Sequence, residues 1–221
     1  ACNHLQDAAT VPALAQPEIA THTKAAQTSK PDVITQRTAV VTAHPLATQA
    51  GLRMLQAGGS AVDAAVAAQM VLGLVEPQSS GLGGGAFLLH SEGGLVQAWD
   101  GRETAPAQVS EDLLLDPQGK PLAFHDAVVG GRSVGTPGVL HMLWRAHQQH
   151  GKLPWSQLFA PAIELANKGF EVSPRLHASL QADKFLRLDP TARAYFYQPQ
   201  GEPHPVGHRL RNPEYAKVLQ V

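Results

Sequence analysis

The chain has 221 residues, 43% of them hydrophobic, with 17 Lys+Arg against 18 Asp+Glu for a formal net charge of −1. That is ample apolar side chain for one large core, and a near-neutral balance without any Lys/Arg run excludes a surface built for nucleic acid. The single cysteine excludes an intrachain disulfide framework and a Cys-cluster zinc site, and the longest apolar stretch, Ala64 to Val75, falls short of the roughly 20 residues of a membrane span.

Residues 1–36 are rich in Ala, Gln and Thr, carry Pro12, Pro17 and Pro31, and show no sustained apolar period. They read as a flexible leader or linker that cannot bury enough surface to offset its ordering entropy, and no cleavable signal sequence is read in them. Ala1-Cys2-Asn3 has the form of a bacterial lipoprotein junction, a small residue before a cysteine that receives lipid, followed by a polar tether. The other reading of Cys2 is a stray cysteine with no role.

From residue 37 the pattern is that of a folded domain. Ala39–Ala43 is short and β-branched and predicts a buried strand. His44-Pro45 opens a helix with proline at its first position, and Gly58-Gly59 stops it. Ser60 with Asp63 predicts a capping box for a second helix, Ala61 to Val75, apolar on most sides and ended by Glu76-Pro77. After a glycine-rich loop, Ala86–His90 and Leu95–Asp100 read as strands joined through Ser91-Glu92-Gly93-Gly94. Helices are predicted at 138–150, 155–168 and 174–185, with Pro190 barring extension of the last. A new amphipathic helix starts after Asn212-Pro213-Glu214, so the chain reads as cut off within it. The order predicts an α+β domain without internal repeats.

Gly81-Leu82-Gly83-Gly84-Gly85-Ala86 matches G-x-G-x-x-A. A dinucleotide fingerprint must follow a strand and open a helix, whereas this loop follows a helix and opens a strand, so nucleotide binding is rejected. With Ser79-Ser80 in front, the glycines offer positive φ or close approach of another segment. Of the eleven histidines, His141, His147 and His150 share one helix, but no carboxylate completes a ligand triad on that face, so no metal site is expected. No G-x-S-x-G elbow and no H-E-x-x-H is present. Arg102, in Asp100-Gly101-Arg102-Glu103-Thr104-Ala105-Pro106, sits at a strand end where a guanidinium can grip a carboxylate with two parallel hydrogen bonds. A surface ion pair with Asp100 or Glu103 is the alternative.

Several segments, in order, resemble one family. They are His44-Pro45-Leu46-Ala47-Thr48, Gly58-Gly59-Ser60-Ala61-Val62-Asp63-Ala64-Ala65, Glu76-Pro77, Ser80 to Phe87, Arg102 to Pro106, Val134-Gly135-Thr136-Pro137-Gly138, Gly151-Lys152-Leu153-Pro154-Trp155, and Pro161 to Ala166 with Gly169-Phe170. Over about residues 36–221 the chain is similar to the large subunit of the γ-glutamyltranspeptidases. The resemblance implies an N-terminal-nucleophile hydrolase, of which this chain forms part of an αββα four-layer sandwich, incomplete without a small subunit cut from the same precursor. It implies cleavage of γ-glutamyl amides such as glutathione through a threonine acyl-enzyme, with transfer to water, an amino acid or a peptide. The threonine and the oxyanion donors belong to the small subunit, its own α-amine serving as base. No catalytic residue is therefore expected in this chain, and Thr21-His22-Thr23 of the leader does not match the Thr-Thr-His-like motif.

Carried over by residue, Arg102 is the ligand of the substrate α-carboxylate and Glu103 its orienting neighbour. Ser80, Gly81, Gly83, Gly84 and Gly85 form a loop near the site. No cofactor and no metal is implied. The expected partners are the small subunit in a heterodimer and a γ-glutamyl compound, with a membrane tether through Cys2 and a periplasmic or cell-envelope location. The rival readings are an amidase of the cephalosporin-acylase kind and a non-catalytic lipoprotein keeping the scaffold for binding.

Overall fold

The computed structural model describes residues 34–221, so Cys2 lies outside the described residues. From Arg37 onward they form one compact unit. Helix α1 (Pro45–Gln56) starts where expected, with Pro45 in its first turn and the His44 imidazole as N-cap, accepting from the Leu46 N–H at 3.2 Å. Gly58, at φ 87°, turns the chain out of it. Helix α2 (Ala61–Val75) begins with a complete capping box: the Asp63 N–H donates to Ser60 Oγ at 3.1 Å and the Ser60 N–H to Asp63 Oδ2 at 2.7 Å. Its small side chains let α1 and two later helices, at Val139–His150 and Ala160–Lys168, close around it, and ten of its fifteen residues are buried, making it the axis of the core.

Strands β1 (Ala86–Glu92) and β2 (Leu95–Gly101) form an antiparallel hairpin in which Leu88 faces Trp99 and His90 faces Gln97. The turn is Gly93-Gly94, both at positive φ, the geometry that two-residue hairpins demand. One face, carrying Leu88 and Trp99, packs toward the core. The other exposes Phe87, Leu89 and Val96.

The remainder is mostly helical. Helix α3 (Phe124–Val128) is a single surface turn, while α4 (Val139–His150) buries Val139, Met142, Leu143 and Ala146 and lies against β2. A 3₁₀ turn at Trp155–Phe159 leads into α5 (Ala160–Lys168). Next come β3 (Phe170–Glu171), α6 (Pro174–Ala182), α7 (Pro190–Phe196), β4 (Arg209–Leu210) and α8 (Pro213–Leu219), with β3 and β4 paired antiparallel. Asn212 caps α8, and the Tyr215 hydroxyl donates to the Met70 carbonyl at 2.8 Å, tying α8 to α2. Burial pushes the pKa of Tyr215 up to about 12. The fold class is α+β, as expected, with helices laid on one side of a hairpin.

Four local expectations are corrected. Residues 39–43 run without a strand partner among the described residues, and Val41 is 92% exposed, so β-branched composition alone does not make a strand here. The stretch 155–168 is not one helix, because Pro161, lacking an N–H, fits the first turn of a fresh helix at Ala160 better than an interior. Helix α6 stops at Ala182, short of 185, where the Asp183 carboxylate captures the Phe185 and Leu186 N–H groups. Pro190 does not merely bar a helix. It opens α7, capped by Asp189.

Buried Asp63 does more than cap. Its Oδ2 also accepts from the N–H groups of Lys152 and Leu153, at 3.0 and 3.2 Å. Its Oδ1 lies 3.5 Å from His147 Nε2, whose own hydrogen-bond partner is the Leu153 carbonyl at 2.9 Å. One carboxylate thereby fastens the start of α2 to the loop that launches α5.

Candidate functional site

Arg102 is the first residue after β2, and the hairpin register that pairs Ala86 with Gly101 brings Gly85 against it. A Cβ placed on Gly85 would stand 2.8 Å from Arg102 Cα and 2.8 Å from the Glu103 nitrogen, and would collide with Glu103 Oε2. Only a residue without a side chain fits there. The expected positive φ is not found at Gly81, Gly83, Gly84 or Gly85; close approach is what Gly85 supplies. The loop divides accordingly. Gly84 and Gly85 adjoin Glu103, whereas Cβ atoms on Gly81 or Gly83 would meet nothing within 4 Å. Ser80 is held by its N–H to the Glu76 carbonyl at 3.0 Å, at the end of α2.

The opposite wall comes from residues 135–139, which sequence reasoning quoted without giving them a role. Thr136 and Thr104 exchange backbone hydrogen bonds of 2.8 and 3.2 Å. The Gly138 and Val139 N–H groups donate to the Gly84 carbonyl at 3.1 and 3.2 Å. A Cβ on Gly135 would press on Glu103 Cβ at 2.9 Å, and one on Gly138 would run into the carbonyls of Gly101 and Arg102. The Arg102–Glu103 backbone is thus clasped between glycines from two directions. The signal was present as two glycines in V-G-T-P-G, but which segment they approach is a tertiary fact.

The side chains complete the geometry. Asp100 Oδ1 accepts from the Arg102 N–H at 2.9 Å, stiffening the strand exit. Arg102 Nη1 lies 3.2 Å from Glu103 Oε2, and the guanidinium is 60% exposed. That approach is a charge contact without hydrogen-bond alignment, so the enclosed Oε2 has no donor. A guanidinium has five N–H donors, so the face of Arg102 turned to solvent keeps enough of them for a second carboxylate. The expected surface ion pair and the expected anion grip are therefore not exclusive: Glu103 holds one side and leaves the other free. Among the described residues no Ser or Thr hydroxyl is hydrogen-bonded to an imidazole.

Comparison with known proteins gives the chain its relatives. The family model for gamma-glutamyltranspeptidase matches residues 47–221. The glutathione hydrolase proenzyme of Bacillus subtilis is 39% identical over 184 residues, 82% of this chain and 31% of that protein. Among solved structures, the gamma-glutamyltranspeptidase of Helicobacter pylori superposes with a TM-score of 0.80 at 31% identity, over 86% of this chain and 55% of that one. A cephalosporin acylase from Bacillus halodurans superposes at 0.67 and 28% identity, over 87% of this chain and 38% of that one. The chain spans about a third of the length of the curated relatives it matches.

Proposed function

This chain belongs to the γ-glutamyltranspeptidase family, and on that premise we propose that it supplies the carboxylate-gripping arm of an enzyme that cleaves γ-glutamyl amides such as glutathione. One observation carries the reading: Arg102 projects from a glycine-clasped strand end with one flank on Glu103 and the other open to solvent. A γ-glutamyl group presents a free α-carboxylate several bonds from the amide to be cut. Holding that carboxylate bidentate fixes the whole acyl chain relative to the attacking group, and orientation of this kind lowers a barrier by entropy already spent. Lysine cannot imitate it, being a point charge on a flexible stem.

In this reading the attacking hydroxyl is that of a threonine opening the small subunit. It adds to the γ-carbonyl, expels the amine, and leaves a glutamyl ester that water or an acceptor amine resolves. The bare hairpin face of Phe87, Leu89 and Val96 is apolar, as a surface meant for burial against a further layer would be. The presence of Arg102 at the strand exit suits a substrate with a free α-carboxylate and so favours the γ-glutamyl reading over an acylase, as does the higher structural similarity to the transpeptidase. The cell-envelope location and the lipid tether through Cys2 stand on the leader sequence alone. Mass spectrometry of the native N-terminus tests them, and an unmodified Cys2 peptide removes the tether.

The test of the main reading uses the complete protein and a γ-glutamyl anilide. Arg102→Ala loses about 10- to 150-fold in kcat/KM, the scale of a charge-assisted hydrogen-bond pair, and Arg102→Lys recovers little. Capping the substrate carboxylate as an amide costs the native enzyme a similar factor and costs Arg102→Ala little. Equal rates for native and Arg102→Ala proteins on the uncapped substrate refute the assignment.

A further inference from the structure

At the far end of the hairpin from Arg102, three ligand-type side chains meet. His90 and Glu92 are two apart on β1 and share its α4-facing side, and His150 is the last residue of α4. One donor atom from each lies within 4.8 Å of the other two. The imidazoles of His90 and His150 stack with centroids 3.9 Å apart and planes 26° from parallel, so the His90 ring must turn out of the stack for both nitrogens to converge on one ion. Glu92 Oε2 stands 3.7 Å from His150 Nδ1. That is too long for a hydrogen bond, and close to the roughly 3.3 Å between two ligand atoms on one tetrahedral zinc.

A second neighbour orients the ring. His150 Nε2 is 2.6 Å from the Gln97 side-chain amide, which faces His90 across the ladder. With the amide oxygen accepting from Nε2, Nδ1 is the nitrogen left for an ion. Metal-binding histidines are oriented in this way, by a carbonyl or carboxylate on the remote nitrogen. The Trp99 ring stands edge-on to His150, 6.5 Å between centroids, and the His150 side chain is only 16% exposed, so that ligand is held in place while the exposed Glu92 is free to swing in.

We propose that His90, Glu92 and His150 form a binding site for a divalent transition ion of the zinc class, water completing its shell. Two imidazoles and one carboxylate suit Zn2+, Cu2+ or Ni2+ and disfavour Mg2+ and Ca2+, which take all-oxygen sets. The ion would pin the hairpin tip to the end of α4, bracing from its far end the strand whose exit carries Arg102. No spacing along α4 records this site, because two of its ligands come from a distant hairpin.

The experiment uses the complete protein stripped with chelator. Zn2+ is titrated calorimetrically, and Co2+ serves as a spectroscopic probe whose visible bands report nitrogen and oxygen ligation. One equivalent binds, the melting temperature rises with added Zn2+, and His90→Ala, His150→Ala and Glu92→Gln each weaken binding about 10- to 100-fold. Glu92 is 77% exposed, so Glu92→Gln stays folded and keeps the test open if a histidine variant does not. His204→Ala, in a stacked histidine pair elsewhere, leaves binding unchanged. Failure of the native protein to bind Zn2+ more tightly than about 100 µM, or undiminished binding in Glu92→Gln and the histidine variants, overturns the proposal. Neither result bears on the Arg102 assay, which reads a different side chain.

Discussion

Gly85→Ala is the sharpest test of how the Arg102 arm is built. The new methyl carbon would lie 2.8 Å from both Arg102 Cα and the Glu103 nitrogen. Unstrained contacts between such atoms sit at about 3.5 Å or more, so the two segments must part by about 0.7 Å. The Glu103 carboxylate can swing aside, but two backbone atoms cannot. Overpacking of this kind costs about 1–3 kcal/mol, and a misplacement near 1 Å in a substrate-positioning group can cost about a hundredfold in rate. Gly85→Ala should therefore lose about tenfold to a hundredfold in kcat/KM on a γ-glutamyl anilide and lower the urea midpoint. Gly83→Ala is the matched control, since its methyl meets nothing within 4 Å and the residue has no positive φ. It should stay within about twofold of the native protein. A Gly85→Ala protein with native kinetics and midpoint, or a Gly83→Ala protein equally damaged, refutes the clasp.

Two further outcomes concern stability. Asp63→Ala strands the N–H groups of Ser60, Lys152 and Leu153 and should cost about 3–5 kcal/mol by urea unfolding. Asp63→Asn, which keeps a carbonyl acceptor, recovers part of that, and an unchanged midpoint in the alanine variant contradicts the role. His44 caps α1 through the lone pair of Nδ1, and burial lowers its pKa from 6.5 with Glu76 opposing. The unfolded chain takes up that proton first, so the contribution of His44 is whole above about pH 6.5 and is lost as the pH falls below it. His44→Asn keeps the cap without titrating, so melting curves should show a shallower acid decline than the native protein; identical slopes would dismiss the mechanism.

Much of the frame is written in local signals. Ser60 with Asp63, the two glycines at 93–94 and the apolar stripe of α4 each encode a start, a turn or a face within a few residues, and each element forms there. Pro190 reads as a stop, yet the same ring that ends one helix can open the next. Residues 39–43 mislead because a strand is a relation between segments. The site follows the same division. That Arg102 stands at a strand exit is legible, since Gly101 and Asp100 mark it. That Gly135 and Gly138 close on it, or that His150 comes to His90 and Glu92, depends on how α4 lies across the hairpin, which no spacing along the chain records.

The burial of α2 sets where inherited variation can accumulate. Of its fifteen positions, only Ala61 and Ala65 look outward. Ala67, Val66, Met70 and Val71 have no exposed surface, and Gly73 lies against the Tyr215 hydroxyl, where a methyl would come within 2.7 Å. A library of random replacements along this helix, selected for folded protein, should therefore keep diversity at two places and erase it at most of the others.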